Sequence, residues 1–176
     1  QQIANTLKLK RQLLQWAQQF PEIVWLDSND YQQTYGDYDA ILAVDAFTSL
    51  QTDYINGFDK LREYQSHTDD WIFGYLAYDL KNDVEHLKSN NHDGLGFPDL
   101  CFFQPKKLFL LKGDVLEVRY LRMVDDEIES DLREIHRTQI PSLKDIAVKR
   151  LSAHEPAVKI KLRIHKDEYH EKVNTM

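Results

Sequence analysis

The chain has 176 residues, 42% hydrophobic and 29% charged, with 6 Gly and 5 Pro, enough for one domain with a real core and unlike collagen, low-complexity or disordered chains. Twenty-two Lys and Arg against 29 Asp and Glu leave a formal net charge of -7, which disfavours unspecific attraction to nucleic acid or an anionic membrane and points to small-molecule or protein partners. The most apolar run, Trp71–Tyr78, is far shorter than the roughly 20 residues a membrane-spanning helix needs. A single cysteine, Cys101, and no Asn-x-Ser/Thr sequon fit a cytoplasmic location.

From Ile3 to Phe20 the apolar residues Ile3, Leu7, Leu13, Leu14, Trp16 and Ala17 recur at helical intervals among Lys and Gln, which predicts an amphipathic helix ended by Pro21. Ile23-Val24-Trp25-Leu26 reads as a short strand running into the turn-forming cluster Asp27-Ser28-Asn29-Asp30. Ala40–Val44 suits a strand buried on both faces, and Phe58, Leu61 and Tyr64 then repeat with helical spacing. Trp71–Tyr78 is expected at the centre of a sheet, with Gly74 marking a bulge or a close backbone approach. After a surface loop at 89–98, the stretches Leu100–Phe103, Lys107–Leu111 and Val115–Leu121 read as three strands, the last two joined by a tight hairpin at Lys112-Gly113-Asp114. Asp125-Asp126-Glu127 opens a further helix closed by Pro141; a linker over 142–156 and a strand over Val158–Ile164 complete the pass. Hairpin-length links and irregularly placed helices predict an α+β fold with a mostly antiparallel sheet.

Motifs with dedicated chemistry are mostly missing. Gly94-Leu95-Gly96 lies in a loop before Phe97-Pro98, where no strand-to-helix turn can cradle a phosphate. His165 and His170, five apart, do not share a helix face for a metal. Asp27-Ser28-Asn29-Asp30 begins like a calcium loop, but Gln32 and Tyr38 stand where that loop needs Gly and Glu. Cys101, between Leu100 and Phe102, reads as a core residue and not as a nucleophile. The basic stretch Lys144–Arg163 lacks aromatic stacking partners for nucleic acid. The carboxylate pairs Asp69-Asp70 and Asp125-Asp126 sit at element ends, where such residues cap or solvate.

A resemblance does cover most of the chain. WIFGYLAYDL at 71–80 resembles the GYxxYDL segment of the chorismate-utilising enzymes, the family of anthranilate synthase component I and aminodeoxychorismate synthase component I. In the family's order, IVWLDSND at 23–30 is similar to its LxS segment, YDAILAVDA at 38–46 to the strand that follows, and HKDEYHEKV at 165–173 to the SKEEYxxxV helix opening its catalytic part. GLGFPDLCFFQPKKLFLL at 94–111 resembles a stretch found on the aminodeoxychorismate side.

The resemblance implies an N-terminal, non-catalytic domain over 1–164, with the catalytic part starting at 165–176 and mostly absent. It therefore implies no catalytic residue and no metal or cofactor in this chain, Mg2+ being used by the full-length enzyme. The implied partners are the chain's own C-terminal catalytic domain and a glutamine amidotransferase subunit supplying ammonia. By the same resemblance Leu26, Asp27 and Ser28 match the segment that lines a tryptophan pocket, so L-tryptophan is a possible ligand. The carboxylate and hydroxyl of Asp27 and Ser28 suit an amino acid's polar end, while Asp27 stands where anthranilate synthases carry Glu, one methylene longer. The alternatives are a simple turn at Asp27-Ser28-Asn29, the same domain of an anthranilate synthase component I, and a stand-alone amino-acid-binding regulatory module. Gln1-Gln2-Ile3, with no initiator Met, and the uncapped helix before Met176 read as the ends of a piece of a longer protein.

Overall fold

The computed structural model describes residues 3–29, 31, 36–85, 87, 92–141 and 164–175. Two compact units divide the chain, Gln1–Ile140 and Pro141–Met176.

In the first unit, helix α1 (Thr6–Ala17) starts where the Asn5 side chain accepts a hydrogen bond from the Lys8 amide at 2.9 Å, satisfying one otherwise orphaned N–H. Its buried stripe is Leu9, Leu13, Trp16 and Ala17, whereas Leu7 and Leu14 are exposed. The predicted helix is present, but its inner face is rotated towards Leu9, because that face meets a sheet and a second helix whose position the periodicity of one segment does not contain.

Strands β1 (Ile23–Asp27), β2 (Ala40–Thr52), β3 (Phe73–Leu76), β4 (Leu100–Lys112) and β5 (Val115–Tyr120) form one sheet in the order β1-β2-β4-β3, with β5 also paired to β4. Every pairing is antiparallel. Helix α2 (Gly57–Thr68) follows β2, a 3-10 turn (Tyr78–Leu80) and the short α3 (Lys81–Val84) follow β3, and α4 (Ile128–Arg137) follows a 3-10 turn over Arg122–Glu127. The architecture is α+β, as the sequence predicts. Ala40, Leu42 and Val44 of β2 and Phe109, Leu111 and Leu116 of the β4–β5 hairpin face α1 and Ile135 of α4. A second apolar cluster collects Ala43, Phe73, Phe103, Leu108 and Leu110.

Two expectations change. The Trp71–Tyr78 run is not central: β3 is a four-residue edge strand, and Tyr75, Leu76 and Tyr78 are exposed. Gly74 marks a close approach, since a Cβ there would lie 1.9 Å from the Cys101 carbonyl oxygen. The centre belongs to β2 and β4, each 13 residues long. The second change is that Leu100–Phe103 and Lys107–Leu111 are one strand running through Gln104-Pro105-Lys106. Proline tolerates that place because the β2–β4 register shifts beside it, between Ala46 and Thr48, and a bulge needs no amide there. The Tyr64 hydroxyl fills the gap, accepting from the Gln104 amide at 3.0 Å and donating to the Thr48 carbonyl at 3.0 Å.

Lys107 is buried beneath α1 and α4. Its Nζ lies 2.6 Å from both Asp131 and Glu127, among the rings of Trp16, Phe20 and Tyr120, and the Tyr120 hydroxyl donates to Asp131 at 2.8 Å. The Gln12 amide group donates to the carbonyls of His136 and Thr138 at 2.9 and 3.2 Å, so α1 also receives the end of α4.

In the second unit, helix α5 (Lys166–Asn174) carries Asp167 and Glu168 in its first turn and a Lys172–Glu168 pair at 3.0 Å. That is the helix the sequence predicts at 166–173. The linker over 142–156 and residues 158–163 of the strand expected over Val158–Ile164 lie outside the described residues. No helix among the described residues is long and apolar enough to cross a membrane.

Candidate functional site

The segment Leu26, Asp27 and Ser28 sits at the end of edge strand β1. Strand alternation separates its first two residues: Trp25 and Asp27 face α1, whereas Leu26 faces the other side of the sheet with Val24. The chain then leaves β1 through a turn in which the Asp27 carboxylate accepts the Asn29 amide at 2.9 Å and Asn29 takes a φ of 50°. The Ser28 amide donates to the Asp39 carbonyl at 2.9 Å, fastening this turn to the start of β2. The turn expected at Asp27-Ser28-Asn29 is therefore present.

Asp27 is not a free carboxylate. Its Oδ1 lies 2.8 Å from Lys10 Nζ of α1, with side chains 17% and 14% exposed. Partial burial pushes its pKa up, but hydrogen bonds from Lys10 and the Asn29 amide outweigh that and hold the carboxyl below its ordinary range. The Ser28 hydroxyl has no hydrogen-bond partner among the described residues.

A cavity opens on each side of the segment. On the α1 side, a space of about 840 Å³ is bounded by Thr6, Leu7 and Lys10 of the helix and by Asp27, Ser28 and Asp39. A second, of about 350 Å³, is lined by Leu26, Ser28, Asp37, Tyr38, Ile41 and Trp71 among others. It has an apolar and aromatic wall from Leu26, Ile41, Tyr38 and Trp71 and the acidic residues Asp37 and Asp39, the mixture of apolar lining and few polar groups that orients a small ligand; the Asp39 carboxylate already accepts the Gly113 amide at 2.6 Å. Lys10, Tyr38, Asp39 and Trp71 are the neighbours that sequence reasoning missed. Lys10 lies 17 positions from Asp27 and Trp71 is further still, so no local spacing connects them.

The other candidate positions have surroundings of their own. The Leu95 and Gly96 amides both donate to the Asp93 carboxylate, at 2.9 and 3.0 Å, so the amides a phosphate would require already serve an anion. Cys101 is half-buried on β4 and burial pushes its thiol pKa up, against nucleophilic use. Asp70 bonds Gln104 at 3.0 Å and the Trp71 amide at 2.7 Å. Among the described residues, no group of three or more His, Cys, Asp or Glu is placed to hold a metal ion.

Comparison with known proteins adds a family. A family model described as chorismate binding enzyme matches residues 21–176. Anthranilate synthase component 1 of Cereibacter sphaeroides is 45% identical over 42 residues, a stretch amounting to 24% of this chain and 8% of that protein.

Proposed function

Since this chain belongs to the chorismate binding enzyme family, we propose that it is the N-terminal, non-catalytic domain of an aminodeoxychorismate synthase component I. The whole cytoplasmic enzyme replaces the 4-hydroxyl of chorismate with an amino group, on the route to para-aminobenzoate and folate. A glutamine amidotransferase subunit supplies the ammonia, and Mg2+ and chorismate are handled by the catalytic part that α5 begins. Residues 1–164 scaffold that part, and the Leu26–Asp27–Ser28 segment binds an amino acid such as L-tryptophan. The observation carrying this reading is that the family-like segments at 23–30, 38–46, 71–80 and 94–111 assemble contiguously, as β1, β2, β3 and β4 of one sheet, with the 26–28 segment between two cavities.

A second reading, the same domain of an anthranilate synthase component I, draws support from the Cereibacter sphaeroides relative. The two part on product. The longer protein from the same reading frame, given chorismate, an ammonium salt and Mg2+, is expected to release 4-amino-4-deoxychorismate by mass spectrometry; anthranilate instead overturns the first reading in favour of the second. Calorimetric titration of L-tryptophan into this chain tests the ligand site, with weaker binding expected for Ser28→Ala. Equal binding by Ser28→Ala removes Ser28 from the site, and no binding by either this chain or the longer protein reduces the segment to a turn.

A further inference from the structure

We infer that the crevice between the start of α1 and the end of α4 is a binding site for a small carboxylate that carries an uncharged amino group, such as an aminobenzoate. The inference stands on this crevice alone and not on the ligand-binding reading of Leu26–Ser28, since the crevice shares no lining residue with the two cavities beside that segment. It is a space of about 340 Å³, within the roughly 300–1,000 Å³ range of small-molecule sites. Ile3, Leu9 and Leu116 give it an apolar wall, and Lys8, Gln12 and His136 supply polar groups.

Gln12 is the group that points to a ligand. It is only 4% exposed, and its neighbours fix how the amide sits. The end that lies 2.9 and 3.2 Å from the carbonyls of His136 and Thr138 is the nitrogen, because a carbonyl only accepts. Nε2 thus uses both hydrogens, and Oε1 is left without a partner among the described residues. The one fully enclosed side-chain atom without a partner among those residues is Asn82 Oδ1, so Gln12 Oε1 keeps contact with open space, and Gln12 meets that space in the crevice. A buried acceptor is costly to leave unmet. His136 adds a second one. Its Nδ1 lies 2.7 Å from the Leu132 carbonyl, so that nitrogen carries the hydrogen and fixes the ring. Nε2 of the uncharged imidazole keeps a lone pair with no partner among the described residues.

Lys8 supplies the charge. It stands one turn before Gln12 on the same face of α1, is exposed, and makes no ion pair among the described residues. No carboxylate lines the crevice, so a ligand's anionic group meets Lys8 unopposed, whereas its ammonium would meet a like charge and no counter-ion. An uncharged NH2 group suits the two acceptors better. It has one hydrogen for Gln12 Oε1 and one for His136 Nε2, on residues already in contact through the His136 carbonyl. A hydroxyl, with a single hydrogen, serves only one of them. Between carboxylate and amine the ligand needs a short apolar body against Leu9 and Leu116, both buried, and a benzene ring provides it.

The test is calorimetry of this chain with 4-aminobenzoate, with benzoate, which lacks the amine, and with 4-aminobenzamide, which lacks the charge. Wild type, Lys8→Met, His136→Ala and Arg62→Gln are compared, with a thermal melt of each; Arg62 is the control, an exposed cation of α2 paired with Asp59. Wild type is expected to bind 4-aminobenzoate about tenfold or more tightly than either analogue, the size of one charge-assisted hydrogen bond. Lys8→Met should erase the advantage over 4-aminobenzamide, His136→Ala should reduce the advantage over benzoate, and Arg62→Gln should change neither. Absence of binding by wild type, equal binding of the three ligands, an advantage that its variant leaves intact, or an equal loss in Arg62→Gln overturns the inference. Should a variant not fold, nuclear magnetic resonance of wild type decides: 4-aminobenzoate is expected to shift the Gln12 side-chain amide and His136 ring signals, and saturation with both unmoved overturns it.

Discussion

Tyr64→Phe removes a single oxygen, and the structure specifies what that oxygen holds. The β2–β4 ladder breaks between Ala46 and Thr48, and the Tyr64 hydroxyl bridges the break by accepting from the Gln104 amide and donating to the Thr48 carbonyl, each at 3.0 Å, with Thr48 Oγ1 2.8 Å away. Without it the two backbone groups have unequal fates. Thr48 is exposed, so water can reach its carbonyl, whereas Gln104 is 8% exposed on the central strand and its N–H is left without a partner. One buried unsatisfied group costs about 1–3 kcal/mol, and because the site lies within water's reach on one side, a loss of about 2 kcal/mol is expected. In urea the midpoint should fall without a change in slope, and the Gln104 amide should exchange hydrogen faster than its neighbours on β4. Tyr78→Phe, whose ring is 83% exposed, is the control and should stay within about 0.5 kcal/mol of wild type. If Tyr64→Phe behaves like that control, the bulge is satisfied by solvent and the bridging role of the phenol is wrong.

Three further outcomes are expected. Gly74→Ala would place a Cβ 1.9 Å from the Cys101 carbonyl oxygen and 2.7 Å from Phe102 Cα, both backbone atoms, so β3 must move off β4; a thermal melt should report a loss of about 3 kcal/mol, at the upper end of overpacking costs, and unchanged stability would mean β3 is not paired as described. Lys107→Met strands buried Asp131 and half-exposed Glu127 and should cost about 3–5 kcal/mol, while Lys107→Met with Asp131→Leu should recover much of it; a double variant as unstable as the single one would contradict this. Alkali should also weaken the fold. Burial and the Asp131 hydrogen bond raise the Tyr120 pKa above its ordinary 10.0, and for Lys107 hydrogen bonds to Asp131 and Glu127 outweigh burial and raise the pKa above 10.5. Both groups are raised on folding, so their contribution is complete below the unfolded values and is lost as pH climbs towards the folded ones. Melting temperature should fall from about pH 10 upward, less steeply in Tyr120→Phe, and identical slopes in the two proteins would discount Tyr120.

Much of this protein was legible in its sequence because short-range chemistry settles local structure. Helical spacing placed α1 and α2, Gly113 with its φ of 59° made the predicted β4–β5 hairpin, and the turn at Asp27-Ser28-Asn29 follows from an Asp side chain reaching an amide two positions ahead. Hairpin-length links also announced an antiparallel sheet. The rank of the strands was not legible: the most apolar run lies at an edge, because apolarity reports that a segment is buried or bound by something but not by which neighbour. Pro105 divided β4 on paper, and only the bulge opposite and the hydroxyl of Tyr64, 40 positions away, join it into one strand. The candidate site divides in the same way. Leu26, Asp27 and Ser28 are adjacent in the chain, yet alternation sends Leu26 and Asp27 to opposite faces, and the groups that complete the surroundings, Lys10, Asp39 and Trp71, come from a helix, the start of β2 and the approach to β3. Sequence governs what neighbours along the chain can do to one another, and the packing of distant segments alone decides which carboxylate is already paired and which ring faces an open space.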